Sequence, residues 1–182
     1  MRKPQYRLTR SGRYRDFQRQ KVYDWERAHV FPEKEFREIM SIAECQVIVN
    51  KAYEYFGLIG PPEVHDGRGR RSACGSIYAV RLPKWARFTE VVLHEAAHGI
   101  SSRLCMRIKV PIETMFRMAT NGTSDEYADL VFQPGHGEVF VRIFVELLRH
   151  YGHNEFSLLS SLEESGVKWN DQSYCEPEGR ST

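Results

Sequence analysis

Residues 91–99 read Val91-Val92-Leu93-His94-Glu95-Ala96-Ala97-His98-Gly99. Apart from His94, Glu95 and His98 the run is apolar, which predicts a helix buried on most of its sides. Positions i and i+4 of an α-helix share a face about one turn apart. His94 and His98 therefore present two imidazoles to one point, with Glu95 beside them. Unpaired polar groups are costly to bury, and a metal ion would satisfy all three. Two neutral imidazoles in H-E-x-x-H spacing suit Zn2+, and the adjacent carboxylate suits taking a proton from a zinc-bound water.

A catalytic zinc usually has three protein ligands and one open position. The expected third ligand is His136, in Pro134-Gly135-His136-Gly137-Glu138-Val139-Phe140. It opens an apolar helix, and its two flanking glycines let the backbone approach closely. Glu138 is the rival, replacing or assisting His136, because His2Glu sites also exist. Asp125, Glu126 and Asp129 read as a solvated helix face, and His65, His150 and His153 as surface residues. Tyr78, Tyr127 or a backbone N–H could steady a developing oxyanion; packing explains either tyrosine more simply.

Outward from this stretch the pattern is mostly helical. A helix is expected over residues 13–28, with Val22, Trp25 and Ala28 on one face. A second runs from Pro32 to Phe56 on a stripe of Phe36, Ile39, Met40, Ala43 and Val47. Residues 60–75 read as a loop, and 76–82 as a strand. That strand forms the edge of a small sheet and leads into the H-E-x-x-H helix over 84–103. Short helices fit 112–118 and 125–131. A strong helix begins near His136, repeats Val139, Phe140, Ile143, Phe144, Leu147, Leu148 and Tyr151, and is capped by Gly152. A short helix over 155–164 and a strand over 166–169 close the pattern. The fold class expected is α+β: a flexible basic arm over 1–12, one domain over 13–170 and a disordered tail over 171–182.

Composition narrows the classes. The 182 residues are 41% hydrophobic and 27% charged, with a net charge of +2, ordinary for a soluble domain. No membrane-length apolar run and no secretory signal are visible. Cys45, Cys74, Cys105 and Cys175 form no C-x-x-C pair, which fits reduced thiols in a cytoplasm. Basic charge gathers at the start, with eight Arg or Lys and one acid, Asp16, between Arg2 and Lys21. Arg68-Gly69-Arg70-Arg71 is a second knot. With Tyr6, Tyr14 and Phe17 interleaved, the arm could contact DNA phosphates and bases; a solvated arm explains it more simply.

These separated motifs carry a family resemblance. Gly75–Leu82, Pro83, Arg87, Val92-Leu93-His94-Glu95-Ala96-Ala97-His98 and the distant His136-Gly137-x-x-Phe140 resemble the SprT-like zincin metalloproteases. The chain is most similar to a group described as metallohydrolases of actinobacteria and their phages. That group's R-D-x-Q-R-x-x-V-Y-x-x-E pattern is matched by Arg15, Asp16, Gln18, Arg19, Val22, Tyr23 and Glu26, and its closing G-V element by Gly166-Val167. The match spans roughly residues 15–169. It departs after the third ligand, where the group reads H-G-P-E-F and this chain reads His136-Gly137-Glu138-Val139-Phe140. The resemblance implies a zincin-like fold, zinc on His94, His98 and His136, and Glu95 as catalytic acid and base. A cytoplasmic peptidase acting on a peptide or protein substrate is the expected activity, and in this family such an enzyme can act on DNA-bound proteins. A deformylase is the weaker alternative, because Cys74 lacks the E-G-C-L motif of that class.

Overall fold

The computed structural model describes residues 16–107 and 135–169. They form an α+β fold, mainly helical, with one three-stranded sheet. The helices are α1 (Arg19–Trp25), α2 (Ile42–Tyr55), α3 (Thr89–Arg107), α4 (Glu138–His150) and α5 (Glu155–Glu164). The strands are β1 (Glu63–Asp66), β2 (Cys74–Gly75) and β3 (Ala79–Leu82). The expected arm over 1–12, the short helices over 112–118 and 125–131, and the tail over 171–182 lie outside the described residues. Among the described residues no helix is long and apolar enough to cross a membrane.

α3 is the axis of the molecule. Val91, Val92, Leu93, Ala96, Ala97 and Ile100 leave it no solvated apolar face, and all are buried. A helix apolar on every side needs a neighbour on every side. α2 and α4 pack on two of them and the sheet on a third. α4 contributes the stripe expected from its sequence: Val139, Phe140, Ile143, Phe144, Leu147 and Leu148 are all buried. Gly152 follows at φ +94°, the left-handed turn that ends the helix. α5 lies over residues 26–30, and Trp25 Nε1 donates to Ser161 Oγ at 2.8 Å inside that contact.

The sheet corrects two expectations. Its order is β1-β3-β2, with β3 parallel to β1 and antiparallel to β2. The strand that precedes the H-E-x-x-H helix is therefore central, and the edge beside that helix is Cys74–Gly75. The stretch expected as a loop holds both outer strands. β1 carries one buried apolar residue, Val64, and so has almost no strand signature. It is held from α2 instead: the Gln46 amide accepts from Val64 N at 2.7 Å and donates to Pro62 O at 3.1 Å. β2 comes so close to α3 that a Cβ on Gly75 would lie 2.0 Å from the Glu95 carbonyl oxygen.

The second helix also departs from its expected stripe. It starts at Ile42 because Ser41 caps it in a capping box with Glu44. The Ser41 hydroxyl accepts from Glu44 N at 3.2 Å, and the Glu44 carboxylate accepts from Ser41 N at 2.7 Å. The later start turns Cys45, Val49, Ala52 and Tyr53 inward and leaves Phe36, Ile39 and Val47 exposed. The H-E-x-x-H helix likewise starts later than expected, because Lys84–Ala86 form a separate 3-10 turn after Pro83. Residues 166–169 form no strand. Gly166 turns the chain at φ +61°, and Lys168 beyond it pairs through its N (2.9 Å) and O (3.0 Å) with the side-chain amide of Gln18.

α1 ends in a π turn over Glu26–Val30, where Phe31 N donates to Glu26 O at 2.8 Å. One extra residue in the turn shifts the buried face by one position. Val30 is buried while Ala28 and His29 are exposed, so Ala28 does not share the face of Val22 and Trp25. Glu26 is also turned inward, 1% exposed.

Candidate metal centre

His94 and His98 sit one turn apart on α3, as their spacing requires, and His136 stands in the turn just before α4. The fold brings all three together. His98 Nε2 is 3.1 Å from His94 Nε2, and His136 Nε2 is 3.4 Å from it. A tetrahedral ion with Zn–N bonds of about 2.0–2.1 Å sets its nitrogens roughly 3.3 Å apart. These three residues could therefore hold a metal ion. Glu138, on the first turn of α4, is not part of this group; Asp125, Glu126, Tyr127 and Asp129 lie outside the described residues. Tyr78 is 83% exposed at the β2–β3 turn, so packing does not explain it. His65 pairs with Glu63 at 3.8 Å, and His153 with Glu90 at 3.4 Å.

Each imidazole is oriented by a neighbour. His94 Nδ1 bonds Glu26 Oε1, and both side chains are buried. His136 Nδ1 bonds Asp16 Oδ2 at 2.6 Å, and the same oxygen accepts from the His136 backbone N–H at 3.1 Å. In the tautomer whose Nδ1–H donates to these carboxyl groups, Nε2 carries the free lone pair on both rings. His98 is set by packing: its ring stacks on Phe140 with centroids 4.4 Å apart. Tyr23 lays its edge against His136 at 4.9 Å, and its hydroxyl accepts from Arg19 Nε at 3.3 Å. Gln18 Nε2 donates to the His136 carbonyl at 2.7 Å.

The electrostatics favour ligation. Burial holds His94 and His98 far below the usual imidazole range, and the neighbouring histidines push further the same way. Both are neutral near pH 7, the form a metal needs. Burial lifts Glu26 above the usual carboxylate range, and His136 and Arg27 partly oppose it. Burial lifts Glu95 to about 8, the Gly75 backbone N–H pulls it back, and Glu26 adds to the rise. Glu95 is thus 7% exposed, tied to the edge strand and beside the cluster.

The sequence-derived His94, His98 and His136 converge, while Glu95 lies buried on the same helix as the first two, its carboxylate bonded by the Gly75 backbone N–H. Asp16, Gln18, Tyr23 and Glu26 had no assigned role, although all four belong to the pattern at residues 15–26. The basic residues of that stretch are partly engaged: Lys21 Nζ donates to Gly166 O at 3.1 Å, and the Arg19 guanidinium lies 5.3 Å over the Tyr23 ring. Compared with protein-family models, curated proteins and solved structures, the chain finds no match.

Proposed function

We propose that this chain is a zinc-dependent hydrolase of the zincin type, acting on peptide bonds. The observation that carries the reading is the convergence of His94, His98 and His136, whose ligand atoms lie within 4.8 Å of one another, with Glu95 next to His94 on α3. Zinc on His94, His98 and His136 would supply a Lewis acid that polarises a carbonyl and acidifies water. The remaining work belongs to the chain. Glu95 takes a proton from the attacking water at its carboxylate and delivers it to the departing amine. Tyr23, whose ring lies 4.9 Å from that of His136, can donate its phenolic hydrogen to developing negative charge. β2, the outer strand of the sheet among the described residues, lies beside Glu95 and suits an extended peptide added as a further strand. The nearness of Gly75 to the Glu95 backbone leaves room there only for glycine.

Two variants test this. Glu95→Gln should retain about one zinc per chain and lose roughly 10²–10⁴-fold in hydrolysis of an unfolded protein substrate. His136→Ala should lose zinc by metal analysis. Full activity in Glu95→Gln, or wild-type protein that takes up no zinc, overturns the assignment; undiminished zinc in His136→Ala moves the third ligand to Glu138.

A further inference from the structure

The three histidines are not held alike. His94 and His98 come from one buried helix, whose backbone fixes their spacing. His136 precedes its helix, and α4 begins only at Glu138 after the Gly137 cap. Its anchors come from the other end of the chain. Asp16 accepts from both its ring and its backbone nitrogen, and Gln18 Nε2 donates to its carbonyl. Gln18 also takes both backbone groups of Lys168, so residues 16–18 tie His136 to the segment after α5.

The local backbone suits this task. A Cβ on Gly135 would lie 3.3 Å from Asp16 Oδ2, so a side chain there would press on the carboxylate. Asp16 Oδ1 is buried with no hydrogen-bond partner among the described residues, which leaves the contacts of this carboxylate directed at His136. Eight residues on from Gln18, the π turn swings Glu26 to His94 Nδ1. One short stretch therefore supplies an acceptor to two of the three imidazoles, 120 and 68 residues away in sequence.

We propose that Asp16 and Glu26 are positioning residues for the bound metal: residues 16–26 form a clamp that fixes the tautomer and ring orientation of His136 and His94. This rests on the zinc reading of the histidine cluster. A carboxylate that accepts the Nδ1 proton of a ligating histidine raises its basicity and restricts its rotation, and losing such a partner weakens metal binding about 10- to 100-fold.

The test uses the full-length chain, stripped with a chelator and titrated with zinc against a chromophoric competitor. Asp16→Asn and Glu26→Gln should each bind about 10- to 100-fold more weakly than wild type, while Glu163→Gln, on the exposed face of α5, binds as wild type does. In the metal-free protein, long-range ¹H–¹⁵N spectra should show His94 and His136 as Nδ1–H tautomers, and each variant should populate the Nε2–H form of its own partner histidine. A residue that merely supports the fold would lower the melting temperature and leave affinity and tautomer alone. Wild-type affinity and tautomers in both variants overturn the clamp. Zinc binding absent from the wild type overturns the metal reading itself, a separate failure. Asp16 has a side chain 20% exposed, so Asp16→Asn keeps the test decisive even where Glu26→Gln does not fold.

Discussion

Gly75→Ala would place a methyl group 2.0 Å from the carbonyl oxygen of Glu95, 2.6 Å from its carbon and 2.8 Å from its Cα. All three are backbone atoms of a buried helix, so no side-chain rotation relieves the overlap. Ordinary contact begins at 3.4 Å, so β2 must retreat by about 1.4 Å. Overpacking of this kind costs about 1–3 kcal/mol, which for a chain of this size lowers Tm by roughly 2–12 °C. The retreat also withdraws the Gly75 N–H from the Glu95 carboxylate, so Glu95 should titrate higher still. Under the role proposed for Glu95, misplacement of about 1 Å would cost roughly 100-fold in hydrolysis rate. Urea denaturation of Gly75→Ala beside Gly69→Ala isolates the effect. Gly69 lies at φ +81° with nothing within 4 Å of its added Cβ, so its alanine variant loses only the left-handed backbone term of about 1–2 kcal/mol. Gly75→Ala within about 0.5 kcal/mol of wild type, the ordinary range for an unconstrained surface change, would refute the close approach of strand and helix.

Glu95, raised to about 8 from an ordinary 4.5, stabilises the fold while protonated; that contribution is complete below pH 4.5 and is lost as pH rises through 8. Glu26 acts in the same direction, whereas His94 and His98, lowered from 6.5, act only as pH falls below that value. Metal-free protein should therefore lose stability between pH 6.5 and 8, by up to about 1.4 kcal/mol per pH unit for each glutamate; urea melts that strengthen with pH across this window would contradict it. Ser161→Ala strands the buried Trp25 indole N–H and should cost about 1–3 kcal/mol by the same melts. Ser41→Ala removes the cap of α2 and should cost about 1 kcal/mol, with helix content by circular dichroism otherwise kept.

The parts legible in the sequence were those whose signal is local. The apolar repeat from Val139 to Leu148 gave α4, and residues 155–164 gave α5, because helical period and caps are written within one turn of each other. H-E-x-x-H placed His94 and His98 by the same arithmetic. The start of α2 was also written locally, in Ser41-x-x-Glu44, but an apolar stripe across Phe36 to Val47 competed with it, and Phe36, Ile39 and Val47 of that stripe are exposed. β1 left almost no trace, since one valine and a glutamine from a neighbouring helix hold it. The roles of Asp16 and Glu26 could not be read from spacing: each meets its histidine only through tertiary folding, and Glu26 faces inward through a π turn that no periodicity announces.

The sequence separations at the cluster have a consequence for how the molecule comes into being. Asp16 meets His136 across 120 residues, Glu26 meets His94 across 68, and His94 meets His136 across 42. During synthesis the two acceptors emerge first, the helical histidines next and His136 last. Each closure carries a loop entropy that only the finished fold offsets. An ion gripped by all three imidazoles would bridge His94 and His136 as a cross-link does, and would bind the native chain in preference to the unfolded one. Uptake of metal would then mark the completed fold.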